Sequence, residues 1–131
     1  MNLNNYVKIF KALGEPTRLK ILKLLSIRPM YVCELESVLH MSQPRISQHL
    51  RTMKEAGLVT EKKEAQRTFY SLQIEYLDEC FNNLIAFFHA DLADLPQFKE
   101  EHLRLKQLES DAEVSLCKEG KTQVLNLKQN A

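Results

Sequence analysis

MSQPRISQHLRTMKEAGLV, residues 41–59, decides the fold. Ile46, Leu50 and Met53 recur at i, i+4 and i+7, the spacing of a buried stripe along one side of an α-helix. Ser42 stands where an N-cap belongs, Pro44 is tolerated in a first turn, and Gly57 suits the C-terminal cap. With the stripe turned inward, Pro44, Gln48 and Arg51 point outward, Arg45 and Ser47 take the shoulders, and Gln43 sits in the first turn. A helix that only meets water favours Glu and Lys on its free side. Amides and guanidinium groups instead match base edges in the major groove of DNA, Gln pairing with adenine and Arg with guanine. His49 lies beside the stripe and is expected to brace the fold rather than read a base.

Upstream, YVCELESVLH (31–40) reads as a short helix with Val32, Leu35, Val38 and Leu39 on one side, and His40-Met41 forms a tight turn. Before it come NYVKIFKALG (5–14), with Tyr6, Val7, Phe10 and Leu13 at helical spacing, and EPTRLKILKLLSI (15–27). In the latter, Pro16 opens a helix that turns Leu19, Leu22 and Leu25 or Ile21 inward, and Pro29 interrupts afterwards. Downstream, LVTEKKEAQRTFYSL (58–72) is rich in Val, Thr, Phe and Tyr around a polar middle at Glu64-Ala65-Gln66, the mark of a β-hairpin. A long helix with Leu77, Phe81, Leu84, Ile85 and Phe88 follows, then a polar helix over Phe98–Leu108 and a weakly patterned, mobile tail from Ser110. The expected class is mainly α with a small β-hairpin wing, a winged helix-turn-helix whose second helix reads DNA while the first braces it. Lys62, Lys63 and Arg67 of the hairpin, with Arg18 and Lys54, are expected at the phosphate backbone.

The 131 residues, 44% hydrophobic and 27% charged, suit one domain over 1–92 for DNA binding and dimerisation, with an appendage over 93–131. No apolar run approaches a membrane span, and MNLNNYVKIF lacks the basic-then-apolar pattern of a signal, so the expected address is the cytoplasm. Cys33, Cys80 and Cys117 are odd in number and widely spaced, which argues for reduced thiols. Residues 1–73 hold 12 Lys and Arg against 6 Glu, while residues 74–131 hold 6 against 11 acids; halves of +6 and −5 make up the net +1. A basic first half suits a polyanionic partner. With three glycines, no glycine-rich phosphate loop and no Ser/His/Asp set, the chain does not read as an enzyme. A winged-helix module that binds protein is the alternative of another class.

The run from ALGEPTRLKIL through VCELESVLHMSQPRISQHLRTMKEAGLV to KKEAQRTFYSL, roughly residues 10–73, resembles the ArsR/SmtB family of bacterial winged-helix repressors. The resemblance implies a homodimer paired through the first helix and the helix after the wing. It also implies a palindromic double-stranded operator, and an effector, often a metal ion or metalloid, that releases the DNA. The stripe of Leu77, Cys80, Phe81, Leu84 and Phe88 agrees with a helical dimer interface, packing against Tyr6 and Phe10 of both chains. Two positions depart from the family. His40 replaces a glycine in the helix-turn-helix turn, and Ala65 replaces one at the wing tip, suggesting a different hairpin turn there.

The family's arsenite sensors carry C-V-C-x-x-C where this chain has Tyr31-Val32-Cys33-Glu34-Leu35-Glu36, so only Cys33 matches and a three-thiolate site within this helix is impossible. Cys33 falls off the apolar stripe, which leaves it open to a ligand or sensing role, whereas Cys80 shares the stripe of the dimer helix and reads as packing. Cys33, Cys80 and Cys117 would make a site for As(III) or another thiophilic ion only if the tertiary fold gathers them. Ile74, Tyr76, Phe87 and Ala90 occupy the positions of the family's zinc ligands, so that site is absent. His89, Asp91, Glu100, Glu101 and His102 offer donors of an ordinary solvated surface. A thiol-based redox or persulfide switch on the same scaffold needs fewer thiols, although the second helix lacks the cysteine that the family's sulfur sensors carry there.

Overall fold

Ile46, Leu50 and Met53 are fully enclosed, and the first part of the molecule is arranged around them. The computed structural model describes residues 3–120, and the chain divides between Phe88 and His89 into two compact units. In chain order the first unit holds α1 (Leu3–Leu13), α2 (Pro16–Leu25), β1 (Met30–Tyr31), α3 (Val32–Leu39), α4 (Gln43–Glu55), β2 (Val59–Glu64) and β3 (Arg67–Leu72). The long helix α5 (Ile74–His89) follows. The strands form one antiparallel sheet in the order β1-β3-β2. This is a winged helix-turn-helix, as the order of elements predicts.

Local chemistry explains the boundaries. Pro16 starts α2, and the Glu15 carboxylate accepts the Arg18 backbone N–H at 2.9 Å, a bond that holds this carboxyl below the usual range. Between α3 and α4, His40 takes the left-handed conformation at φ 52° and ψ 47°, the geometry a glycine would otherwise supply. Ser42 occupies the N-cap of α4 with extended backbone but makes no side-chain cap bond; its carbonyl accepts the Ile46 N–H at 3.1 Å. At the other end Gly57, at φ 81°, lets its own N–H reach the Lys54 carbonyl and the Leu58 N–H reach that of Met53, each at 2.9 Å. That pair of bonds is a Schellman motif. A Cβ at Gly57 would lie 3.0 Å from the Tyr76 ring.

Glu64 faces Arg67 across the hairpin, so the loop is only Ala65-Gln66. Ala65 adopts φ 57° itself, so the alanine takes the left-handed angle that a glycine would favour.

Several side chains sit differently from what their spacing predicts. In α1 the buried residues are Tyr6, Ile9 and Ala12, while Val7 is exposed, as is Phe10, which the resemblance assigns to the interface between copies. Leu19 and Val38, expected to face inward, are also exposed. Strand β1 has no counterpart in the sequence reading, because two residues carry no period; pairing of Met30 with Tyr70 and of Tyr31 with Phe69 defines it. In α5 only Cys80 is buried, and Phe81, Ile85 and Phe88 remain exposed. Tyr6, Ile9 and Phe10 of α1 nonetheless line one crevice with Cys80, Phe81 and Leu84 of α5.

The second unit contains two short 3-10 turns, Leu92–Asp94 and Pro96–Phe98, then α6 (Lys99–Gln107) and a further turn at Leu108–Ser110. Residues 112–120 are helical, and none of α6 is buried. Of the tail expected from Ser110 onward, residues 121–131 lie outside the described residues. Among the described residues no helix is long and apolar enough to cross a membrane.

Candidate nucleic-acid interface

The burial of three residues on α4 fixes what its other side presents. Gln43, Pro44, Arg45, Gln48 and Arg51 are exposed, and Ser47 is half-buried. The Gln43 amide donates to the Ser47 hydroxyl at 2.7 Å, one turn along, which orients both groups before any partner arrives. Neither Arg45 nor Arg51 enters an ion pair among the described residues. Guanidinium groups free of ion pairs and amides on one exposed helix face offer donors and acceptors of the kind that complement base edges in the major groove.

Two of the expected phosphate contacts are engaged inside the fold. The Arg18 guanidinium donates to the carbonyls of Ala12 at 2.6 Å and Lys11 at 3.0 Å, and lies 3.4 Å from His49 Nδ1. It therefore ties the end of α1 to α2 and to the back of α4. His49, half-buried and 3.9 Å from Glu15, belongs to the same junction, where it braces α4. Lys54 Nζ pairs with Glu61 Oε1 at 2.5 Å, and Glu61 Oε2 accepts the Tyr70 hydroxyl at 2.9 Å. Lys54 lowers the pKa of Glu61, and burial followed by the Glu61 contact pushes that of Tyr70 up to about 12. This chain of bonds pins the base of the wing to α4. Sequence spacing gives no sign of it, since Glu61 and Tyr70 meet only through strand register.

The wing cations divide by face. Lys62, Lys63 and Arg67 are all exposed. Lys62 stands opposite Phe69 and Lys63 opposite Thr68, and alternation along a strand puts Lys62 and Arg67 on one face and Lys63 on the other. Arg67 is stacked over the Tyr31 ring, 4.3 Å from its centroid. Tyr31, Cys33, Glu36, Arg67 and Gln43 line a groove of about 310 Å³ between the start of α3, the start of α4 and the wing.

The thiols are dispersed in environment. Cys33 is exposed on α3, Cys80 is buried in α5, and Cys117 is exposed in the second unit. Among the described residues of one chain, no three His, Cys, Asp or Glu side chains are grouped to hold a metal ion. Around Cys33 the donor set is one thiol with a phenol and the Glu36 carboxylate, which does not fit a three-thiolate metalloid site within α3.

Residues 15–61 match the model of the bacterial regulatory protein family named arsR. An uncharacterised HTH-type transcriptional regulator of Methanocaldococcus jannaschii is 50% identical over 64 residues, covering 48% of this chain and 72% of that protein. An arsenical resistance operon repressor of Staphylococcus xylosus is 36% identical over 84 residues, covering 64% of this chain and 81% of the repressor. Among solved structures, the homodimeric winged helix-turn-helix DNA-binding domain of a Mycobacterium bovis protein superposes with a TM-score of 0.56 at 28% identity, over 66% of this chain and 82% of that one. Fold and relatives agree, and the chain belongs to the ArsR family of winged-helix, DNA-binding transcriptional regulators.

Proposed function

We propose that this protein is a repressor that binds a palindromic operator as a two-fold homodimer, α4 of each copy entering the major groove and each wing following the adjacent backbone. The observation that carries this reading is the outward face of α4, where Gln43, Arg45, Gln48 and Arg51 are exposed and both guanidinium groups lack an ion pair among the described residues. Residues 1–92 carry DNA binding and pairing, the latter through the exposed apolar side chains of α1 and α5. A two-fold protein then meets a two-fold site.

Release requires an effector that binds the DNA-incompetent dimer more tightly than the competent one, with a coupling of about 1–3 kcal/mol. The effector is a thiophilic metal ion or metalloid that meets Cys33, the exposed thiol of the groove beside the wing; the likeness to an arsenical resistance repressor supports this class. A thiol-oxidising or persulfide trigger at the same residue is the second reading, favoured because Cys33 is the lone thiol of α3.

One mobility-shift experiment on the DNA upstream of the protein's own gene tests both levels. Gln48→Ala weakens operator binding by about 1–3 kcal/mol, the range for a bidentate base contact, and leaves binding to unrelated duplex nearly unchanged. Equal losses on both duplexes would remove α4 from base reading. If the parent gives no sequence-specific shift and little salt dependence, a protein-binding module is the better description. Cys33→Ser keeps DNA binding but no longer responds to arsenite, cadmium or peroxide, and the agent that releases the parent separates the two triggers.

A further inference from the structure

Tyr31 occupies a position where the family's arsenite sensors carry a thiol, and here its ring has a different task. Tyr31 in β1 pairs with Phe69 in β3, and Phe69 with Lys62 in β2, so the three form one row across the sheet. Arg67 and Glu64 lie two residues along the same face. The residue is anchored at three points. Phe69 meets it edge-on at 5.7 Å and 76°, its hydroxyl donates to Glu64 Oε2 at 3.3 Å, and the Tyr31 backbone N–H donates to Glu34 Oε1 at 3.0 Å. Glu34 is fixed in turn by Arg28 at 2.5 Å.

Over this braced ring sits the Arg67 guanidinium at 4.3 Å. Arg67 is exposed and forms no ion pair among the described residues, although three carboxylates are at hand, Glu34, Glu64 and, on the wall of the same groove, Glu36. Glu34 is engaged by Arg28 and Glu64 by the Tyr31 hydroxyl, and Glu36 forms no ion pair with Arg67. The Arg67 charge is thus aimed without being neutralised. Arg67 and Gln43, the first residue of α4, line the same groove, so a strand passing the first turn of α4 runs by this guanidinium.

We propose that Tyr31 is a positioning residue for DNA binding, its ring the platform that holds the Arg67 guanidinium toward the nucleic-acid backbone at the mouth of this groove. The proposal rests on the reading that α4 and the wing engage one duplex. A free arginine on a hairpin loses rotamer freedom when it meets a phosphate; a stacked one has already lost much of it. The stack also leaves the guanidinium edge open for hydrogen bonds while the face is occupied.

The test is a double-mutant cycle on the full chain, read as affinity for the upstream duplex and as its dependence on salt. Arg67→Ala weakens binding and flattens the plot of log affinity against log salt by about 0.9 per wing, one phosphate contact each. Tyr31→Ala weakens binding roughly 2–5-fold, the range of an exposed cation–π contact, and adds nothing further in the Arg67→Ala background. Tyr31→Phe, which keeps the ring and loses only the hydroxyl, restores most of the affinity. Additive losses, or parent affinity in Tyr31→Ala beside a weakened Arg67→Ala, would show that Tyr31 serves the fold alone and overturn the proposal. Parent affinity and salt slope in Arg67→Ala would also overturn it, while a surviving effect of Gln48→Ala in the same assay would leave the α4 reading intact. Thermal unfolding of each variant separates loss of the stack from loss of the fold.

Discussion

Helices α4 and α5 carry apolar stripes of the same period and meet opposite ends. In α4 the stripe of Ile46, Leu50 and Met53 is 0% exposed at every position. In α5 Phe81, Ile85 and Phe88 remain 40%, 55% and 74% exposed in the single chain. Helix α1 repeats the contrast within itself, with Tyr6, Ile9 and Ala12 turned to the core and Val7 and Phe10 turned away. Spacing therefore reports which residues share a face. What covers that face, the same chain or a second copy, depends on the surroundings. Large apolar side chains left uncovered on two adjoining helices are what a self-complementary interface needs.

A matched pair of truncations breaks or sharpens this contrast. Leu50→Ala removes side-chain atoms from an enclosed site and costs about 2–5 kcal/mol of stability, independent of protein concentration in a urea titration. A loss below about 1 kcal/mol would mean that the α4 stripe is not the anchor that aims the DNA-reading face. Ile85→Ala removes nearly as much apolar surface from a half-exposed site. It changes the unfolding of the isolated chain by roughly 1 kcal/mol or less, and its main effect is on self-association measured by sedimentation, weakened several-fold. If Ile85→Ala associates like the parent, the exposed face of α5 is not the seam between copies.

The same contrast explains how far the sequence could be read. The α4 stripe, the Gly57 cap and the hairpin were legible because each is written within about a dozen residues. Val7, Leu19 and Val38 were not, because each lies on a helix with apolar residues on more than one side, where period alone cannot choose the inner face. Strand β1 is too short for any period and exists only through its pairing with β3. In the candidate interface, the exposed row on α4 followed directly from the stripe. The internal engagement of Arg18 and Lys54, and the stacking of Arg67 on Tyr31, depend on contacts between distant segments. A cation in a sequence is a free cation until the fold shows what stands beside it.

The wing tip supplies the smallest effect and the simplest physics, since no packing compensates there. Ala65 and Gln66 form the whole two-residue loop, both exposed, and Ala65 holds φ 57°. For an L-residue that angle costs about 1–2 kcal/mol, because Cβ crowds the following carbonyl. Ala65→Gly removes the crowding but gives the unfolded chain more freedom to lose, an opposing cost of roughly 0.5–1 kcal/mol. The net expectation is a gain of up to about 1 kcal/mol in thermal or urea unfolding, with the hairpin register of Glu64 against Arg67 retained. Because Arg67 follows the loop directly and its guanidinium is held by Tyr31 rather than by the turn, operator affinity stays within about two-fold of the parent. A large loss of affinity with unchanged stability would mean that the turn, and not the aromatic platform, aims the wing arginine.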